Sequence, residues 1–232
     1  MLNKVDERIK KAVEEKVLSQ YDANDVGGHG REHIQTVIGR SFELMEAFDE
    51  LKELDPNMVY VVAAFHDIGY KTNPDEHEEE SARIFEATPW VKEFFTDKQI
   101  DVMAEAIAEH RASLEYEPHS NYGKLVSSAD REVSVENMLQ RSILFQADKH
   151  RAENPTVGQV IDYSFKKLSS KYGKGGYAKM YYQDQKYIDY LNNMQEILED
   201  KNKFVRAELN VMKQKLKMKK AESPDLLEEP YI

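Results

Sequence analysis

Apolar residues recur three or four apart along most of this chain, a spacing that predicts helices. No stretch alternates as a half-buried strand would, and nothing repeats at a fixed period. An opening helix is expected from about Asp6 to Gln20, after which DANDVGGHGREH breaks the pattern with Gly27, Gly28 and Gly30. A long amphipathic helix follows, with Ile34, Val37, Ile38, Ser41, Leu44, Met45, Phe48 and Leu51 on one face. Asp55 can then cap, and Pro56 can open, a helix that leads into VVAAFHDIGYK, residues 61–71. That run has no polar face until it reaches His66 and Asp67, so it is expected to be buried on all sides.

Further helices follow from the same signals. Asp75 with Glu78 resembles a capping box that opens a helix through Ala87, and Thr96 with Gln99 forms a second, ahead of Ile100, Met103, Ala104 and Ile107. Another short helix is expected from Tyr122 to Val133, with Val126, Ala129 and Val133 inward. Three more helical stretches extend to about residue 212, interrupted by YGKGGY. The expected fold is all-α, a helical bundle with additional C-terminal helices. It is read as one domain over 1–212, its core at about 25–135 and its added helices at about 136–212, with residues 213–232 as a charged, frayed tail.

Composition narrows the chemistry. The 232 residues are 41% hydrophobic and 10% aromatic, ordinary for a folded protein. No apolar run approaches the roughly 20 residues that cross a bilayer, and the N-terminus is charged where a secretory signal would be apolar, which points to a cytoplasmic protein without a membrane partner. A net charge of −11 disfavours long nucleic acid as a partner, while small anions remain open to a locally positive site. With no cysteine, any metal must be held by histidine and carboxylate.

An ionisable pair at the end of a buried helix costs several kcal/mol unless it is paired, hydrogen-bonded or coordinated. His33 and Asp130 fall on inward faces of their own helices, as do His77 and His110, so several segments offer ligands to one interior.

His33, then His66 with Asp67, then Asp130 resembles the H…HD…D signature of the HD-domain metal-dependent phosphohydrolases. The supporting context is HGREHI, AAFHDIGY, HEEESARIF, AEHRAS and SSADRE, so the resemblance covers about residues 25–135. It implies an all-α fold, a divalent metal held by His33, His66, Asp67 and Asp130, and hydrolysis of a phosphoester or phosphoanhydride in a small substrate, a nucleotide above all. Two imidazoles and two carboxylates suit manganese or iron first, then zinc, cobalt or nickel, and magnesium less well. Related branches use histidines at the positions of His77 and His110 for a second metal or for substrate contact; one ion is favoured over two here. Lys71, Arg111 and Arg131 adjoin ligands and are candidates to bind phosphate oxygens. Where some nucleotidase members carry a Glu three residues after the HD pair, this chain has Tyr70. The Gly-Tyr-Pro that marks the cyclic-dinucleotide branch does not follow His110.

Plainer roles are assigned to other residues. His29, His119 and His150 are read as hydrogen-bonded core histidines. The tyrosines at 177, 181, 182, 187 and 190 are read as helix packing, and the lysines from 213 to 220 as a solvated face. SKYGKGGYAKMYY lacks the phosphate-loop spacing, although its Lys174 and Lys179 could reach a phosphate by closing over the pocket. Two competing functions on the same scaffold are a dinuclear iron oxygenase and a non-catalytic, metal-stapled binding module.

Overall fold

The structure is a computed structural model that describes residues 1–21 and 29–222, with the side chains of 215–222 outside that description. The pattern-breaking Gly27 and Gly28 therefore lie outside the described residues. Among those residues all regular structure is helical. No described helix is long and apolar enough to cross a membrane. Where the sequence reading has one domain over 1–212, the backbone gathers into two compact units. The first comprises Met1–Arg131 with the returning segment Ala178–Lys186; the second takes residues 132–177 and resumes at Tyr187.

In the first unit, Asp6 caps α1 (Glu7–Val13), which runs through a π-helical turn, Glu14–Leu18, into the short α2 (Ser19–Tyr21). Helix α3 (Arg31–Ala47) stops before Phe48, and Leu51 reaches the core from a separate 3-10 turn. Helix α4 (Pro56–Phe65) begins as expected: Asp55 Oδ1 accepts from the Asn57 N–H at 2.8 Å, and Pro56 sits in the first turn. Every residue from Met58 to Phe65 is buried. Around it stand α1, α3, α5 (His77–Glu86), α6 (Asp97–Ala108) and α7 (Asn121–Ala129). Each fully buried Val, Leu or Phe contributes about 1.5–3 kcal/mol, so α4 is the apolar axis that positions the residues after it.

Two further boundaries of the first unit move. Helix α5 starts at His77 without a side-chain cap, and the Asp75/Glu78 box does not form. Helix α7 is capped by Ser120 and ends at Ala129, leaving Val133 beyond it. The Thr96/Gln99 box is present at α6. The turn after Asp67 packs tightly against α5: the Gly69 N–H donates to Ser81 Oγ at 2.9 Å, and a Cβ on Gly69 would stand 2.6 Å from the Ser81 nitrogen. Only glycine fits there.

The second unit contains α8 (Val135–Lys149), α9 (Val157–Tyr172), α10 from Tyr187 of its span Gln185–Leu198, and α11 (Lys201–Glu222). Helix α8 packs on both α9 and α11. A Thr156/Gln159 capping box opens α9. In YGKGGY, Gly175 takes a φ of +78° and a Cβ on Gly173 would meet the Ser169 carbonyl oxygen at 2.5 Å, so the sequence is a tight interhelical turn. Lys174 pairs there with Glu199 at 2.7 Å. Tyr187 and Tyr190 are buried, as the packing role expects, and Tyr190 meets Tyr172 edge to face. Helix α11 continues through 213–222, which the sequence reading places in the frayed tail; residues 223–232 lie outside the described residues.

Candidate metal centre

Five helices of the first unit end or begin at one point. His33 projects from the first turn of α3, His66 is the C-cap of α4 with Asp67 next to it, His77 opens α5, His110 follows α6, and Asp130 is the C-cap of α7. Asp67, 2% exposed, lies in the middle. Its Oδ2 is 3.3 Å from His33 Nε2 and 3.2 Å from His66 Nε2, while its Oδ1 is 3.3 Å from His77 Nε2 and 3.4 Å from His110 Nε2. Asp130 Oδ1 stands 3.2 Å from His33 Nε2 and 3.8 Å from His66 Nε2. All six candidate ligands therefore meet, in two trios: His33, His66 and Asp130 on one side, and His77, His110 and Asp67 on the other.

Hydrogen bonds fix the rings. The carbonyl of Ala63 takes the Nδ1 proton of His66 at 2.8 Å, that of Ile107 the proton of His110 at 2.7 Å, and that of Pro74 the proton of His77 at 3.2 Å. In each neutral ring the Nε2 lone pair then points inward. His66 Nε2 and His33 Nε2 are buried with no hydrogen-bond partner. Lone pairs aimed at each other and at two carboxylates repel unless a cation stands between them. Donor atoms about 2.1 Å from one ion and about 90–110° apart would lie about 3.0–3.4 Å from each other, close to the separations here. The residues fit a divalent metal.

The charges agree. Burial works against the ionised carboxyls, yet the surrounding imidazoles hold Asp67 and Asp130 well below the usual range. Burial also opposes charge on His33, but Asp130 and Asp67 raise it to about 9. His110 is likewise raised by Asp67 against its burial, whereas burial and the neighbouring His110 lower His77. The site favours positive charge, whether carried by protons or by metal.

The basic candidates divide. Lys71 lines a cavity of about 320 Å³ together with Tyr21, His29, Asp67 and Tyr70. Arg111 donates to the Asp75 carbonyl at 2.9 Å and to Glu78 Oε1 at 2.7 Å. Arg131 is buried and directs its donors to Asp130 Oδ2, Ser127 Oγ and the carbonyls of His110 and Lys179. It braces the ligands from behind. Lys179 Nζ reaches the carbonyls of Leu114 and Glu115.

His29, read from sequence as a core histidine, belongs to the site: its Nδ1 is 2.6 Å from Asp67 Oδ2 and its ring stacks on Tyr70 with centroids 3.9 Å apart. The signal available was its position four residues before His33, but Gly30 separates it from α3. His119 also departs from the core reading, being exposed beside Glu105 and Glu109. His150 stacks on Tyr163 and pairs with Glu153, away from any trio.

Residues 31–133 match the family model of the HD domain. The chain carries an HD domain. HD domains form a superfamily of metal-dependent hydrolases, and the matched stretch holds all six convergent candidate ligands. No curated protein and no solved structure significantly matches the chain.

Proposed function

We propose that the HD domain is a metal-dependent phosphohydrolase that cleaves a phosphoester or phosphoanhydride bond of a small substrate, a nucleotide above all. The observation that carries this reading is the placing of Asp67, whose two carboxylate oxygens face different ligand trios. His33, His66, Asp67 and Asp130 would hold a divalent ion, and His77 with His110 would serve a second ion or contact the substrate. Manganese or iron suits this mixed nitrogen and oxygen set best. Bound there, the metal supplies Lewis acidity, which acidifies water and offsets the charge of a phosphoryl group.

The chain's own residues supply the rest. The apolar shell of α4 keeps the local dielectric low and strengthens every charge interaction at the ligands. His29 steadies Asp67 and forms, with Tyr70, an aromatic wall of the adjoining cavity, where Lys71 offers a cation to a phosphate. The same six residues would also suit a dinuclear iron oxygenase, since a carboxylate lies between two trios. One experiment separates the readings: load the protein with manganese, iron, zinc, cobalt or nickel, and assay phosphate release from a panel of nucleotides and small phosphate esters alongside oxygen uptake. Metal-dependent phosphate release is expected. Oxygen consumption without it would favour the oxygenase, and neither activity would leave a metal-stapled binding module.

A further inference from the structure

A second set of ligand-type side chains meets where α6 gives way to the connection before α7. Glu105 and Glu109 are four residues apart, so they stand on one face at the C-terminal end of α6. His119 folds over them from the connection, with its Nδ1 at 3.2 Å from Glu105 Oε1 and 2.5 Å from Glu109 Oε1. All three donor atoms lie within 4.8 Å of one another.

Glu109 is the telling member. It is 2% exposed, although it is an acid at the negative end of a helix, where the backbone dipole adds to the cost of its charge. Its Oε2 accepts the His119 backbone N–H at 2.9 Å, and Gly123 leaves it room, since a Cβ there would sit 3.2 Å from that oxygen. Its Oε1 is buried and has no hydrogen-bond partner. The His119 ring nitrogen stands beside this oxygen as an ion-pair neighbour without the alignment of a hydrogen bond, and a small outward turn of the exposed ring would open the two donors to the separation that a shared ion needs. Among the described residues the first unit buries unpartnered side-chain atoms at His33 and His66 too, within the metal centre, and at Arg40 and Glu78 outside it.

We propose that Glu105, Glu109 and His119 bind a divalent transition cation, zinc best of all, at a site separate from the His/Asp centre. One imidazole and two carboxylates make a three-ligand set that leaves positions for water, and the nitrogen donor favours zinc, manganese, cobalt or nickel over magnesium and calcium. His119 is 63% exposed, so an ion can enter from solvent. Bound there, the ion ties the connection before α7 to the end of α6. The assignment does not depend on what the HD centre hydrolyses.

The test is equilibrium dialysis of the full chain against micromolar free zinc, with elemental analysis of the ions bound per chain. Wild type is expected to hold one equivalent more than His119→Ala and one more than Glu105→Gln, both surface changes that leave the circular dichroism spectrum unaltered. Asp67→Asn, aimed at the other centre, is expected to keep this equivalent and to lose it when His119→Ala is added. Equal zinc content in wild type, His119→Ala and Glu105→Gln would overturn the proposal, leaving His119 as an ion-pair partner of the two glutamates.

Discussion

Asp67 and Glu208 are both shut away from water, in different units, and their surroundings drive them in opposite directions. Around Asp67, imidazoles close in from four helices and hold the carboxyl ionised, well below its usual range. Among the described residues the hydrogen bond to Glu208 comes from Ser164, whose hydroxyl lies 3.0 Å from Oε1 and 2.6 Å from Ser142 Oγ, and burial pushes the acid up to about 8. The first arrangement tolerates buried negative charge because imidazoles surround it, as a site for a shared cation would require. The second tolerates the acid by keeping it protonated. Burial alone does not mark a functional carboxylate; convergent imidazole nitrogens do.

The largest expected effect comes from removing the shared charge. Asp67→Asn keeps the shape but offers one acceptor oxygen instead of two, and phosphate release should fall by more than about 100-fold, beyond the loss typical of residues that merely support a ligand. Elemental analysis of the same sample should find the ligand trios depleted of metal. Turnover near the wild-type rate would dissolve the contrast between the two acids.

Smaller is the effect of Gly69→Ala. Its Cβ would press on the Ser81 nitrogen and the His77 carbonyl, forcing the turn after Asp67 away from α5. A stability loss of about 1–3 kcal/mol is expected, seen as a lower denaturant midpoint. Metal affinity should weaken with it, because His77 moves relative to Asp67. An unchanged midpoint would mean that the turn has more room than its contacts imply.

Glu208 provides the mildest test. Unfolded, the acid releases its proton near 4.5; folded, near 8. Between those values the native state binds the extra proton, so this contribution to stability is complete below about pH 4.5 and is lost as pH rises through about 8. Glu208→Gln is neutral at every pH and should remove that slope, which thermal melts of both proteins between about pH 5 and pH 8 would compare. Parallel curves would place Glu208 with the ionised acids and end the contrast.

Much of this was legible from residues alone. The six convergent side chains stand at ends of helices whose apolar spacing points each one inward, and the Asp55–Pro56 start of α4 is a local signal that nothing distant overrides. What escaped depends on distant partners. Glu78 could not be seen to prefer Arg111, 33 residues away, over a cap at its own helix. Periodicity carried α7 on to Val133, although the chain turns after Ala129 to bury the Arg131 guanidinium. His29 lies outside any helix, so no face could be assigned to it. Apolar spacing declares that a face is covered without naming what covers it.

The segment 178–186 sets a condition on anyone cutting this protein apart. It returns some fifty residues after Asp130, gives the Lys179 carbonyl to Arg131 and the Tyr181 and Tyr182 amides to Ser128, and sets Asp184 against the buried Arg40. A fragment trimmed to the family match at 133 would leave Arg40, Ser128 and Arg131 short of these partners, two of them within two residues of a candidate ligand. The smallest sensible excision of the HD domain must keep this late strap attached.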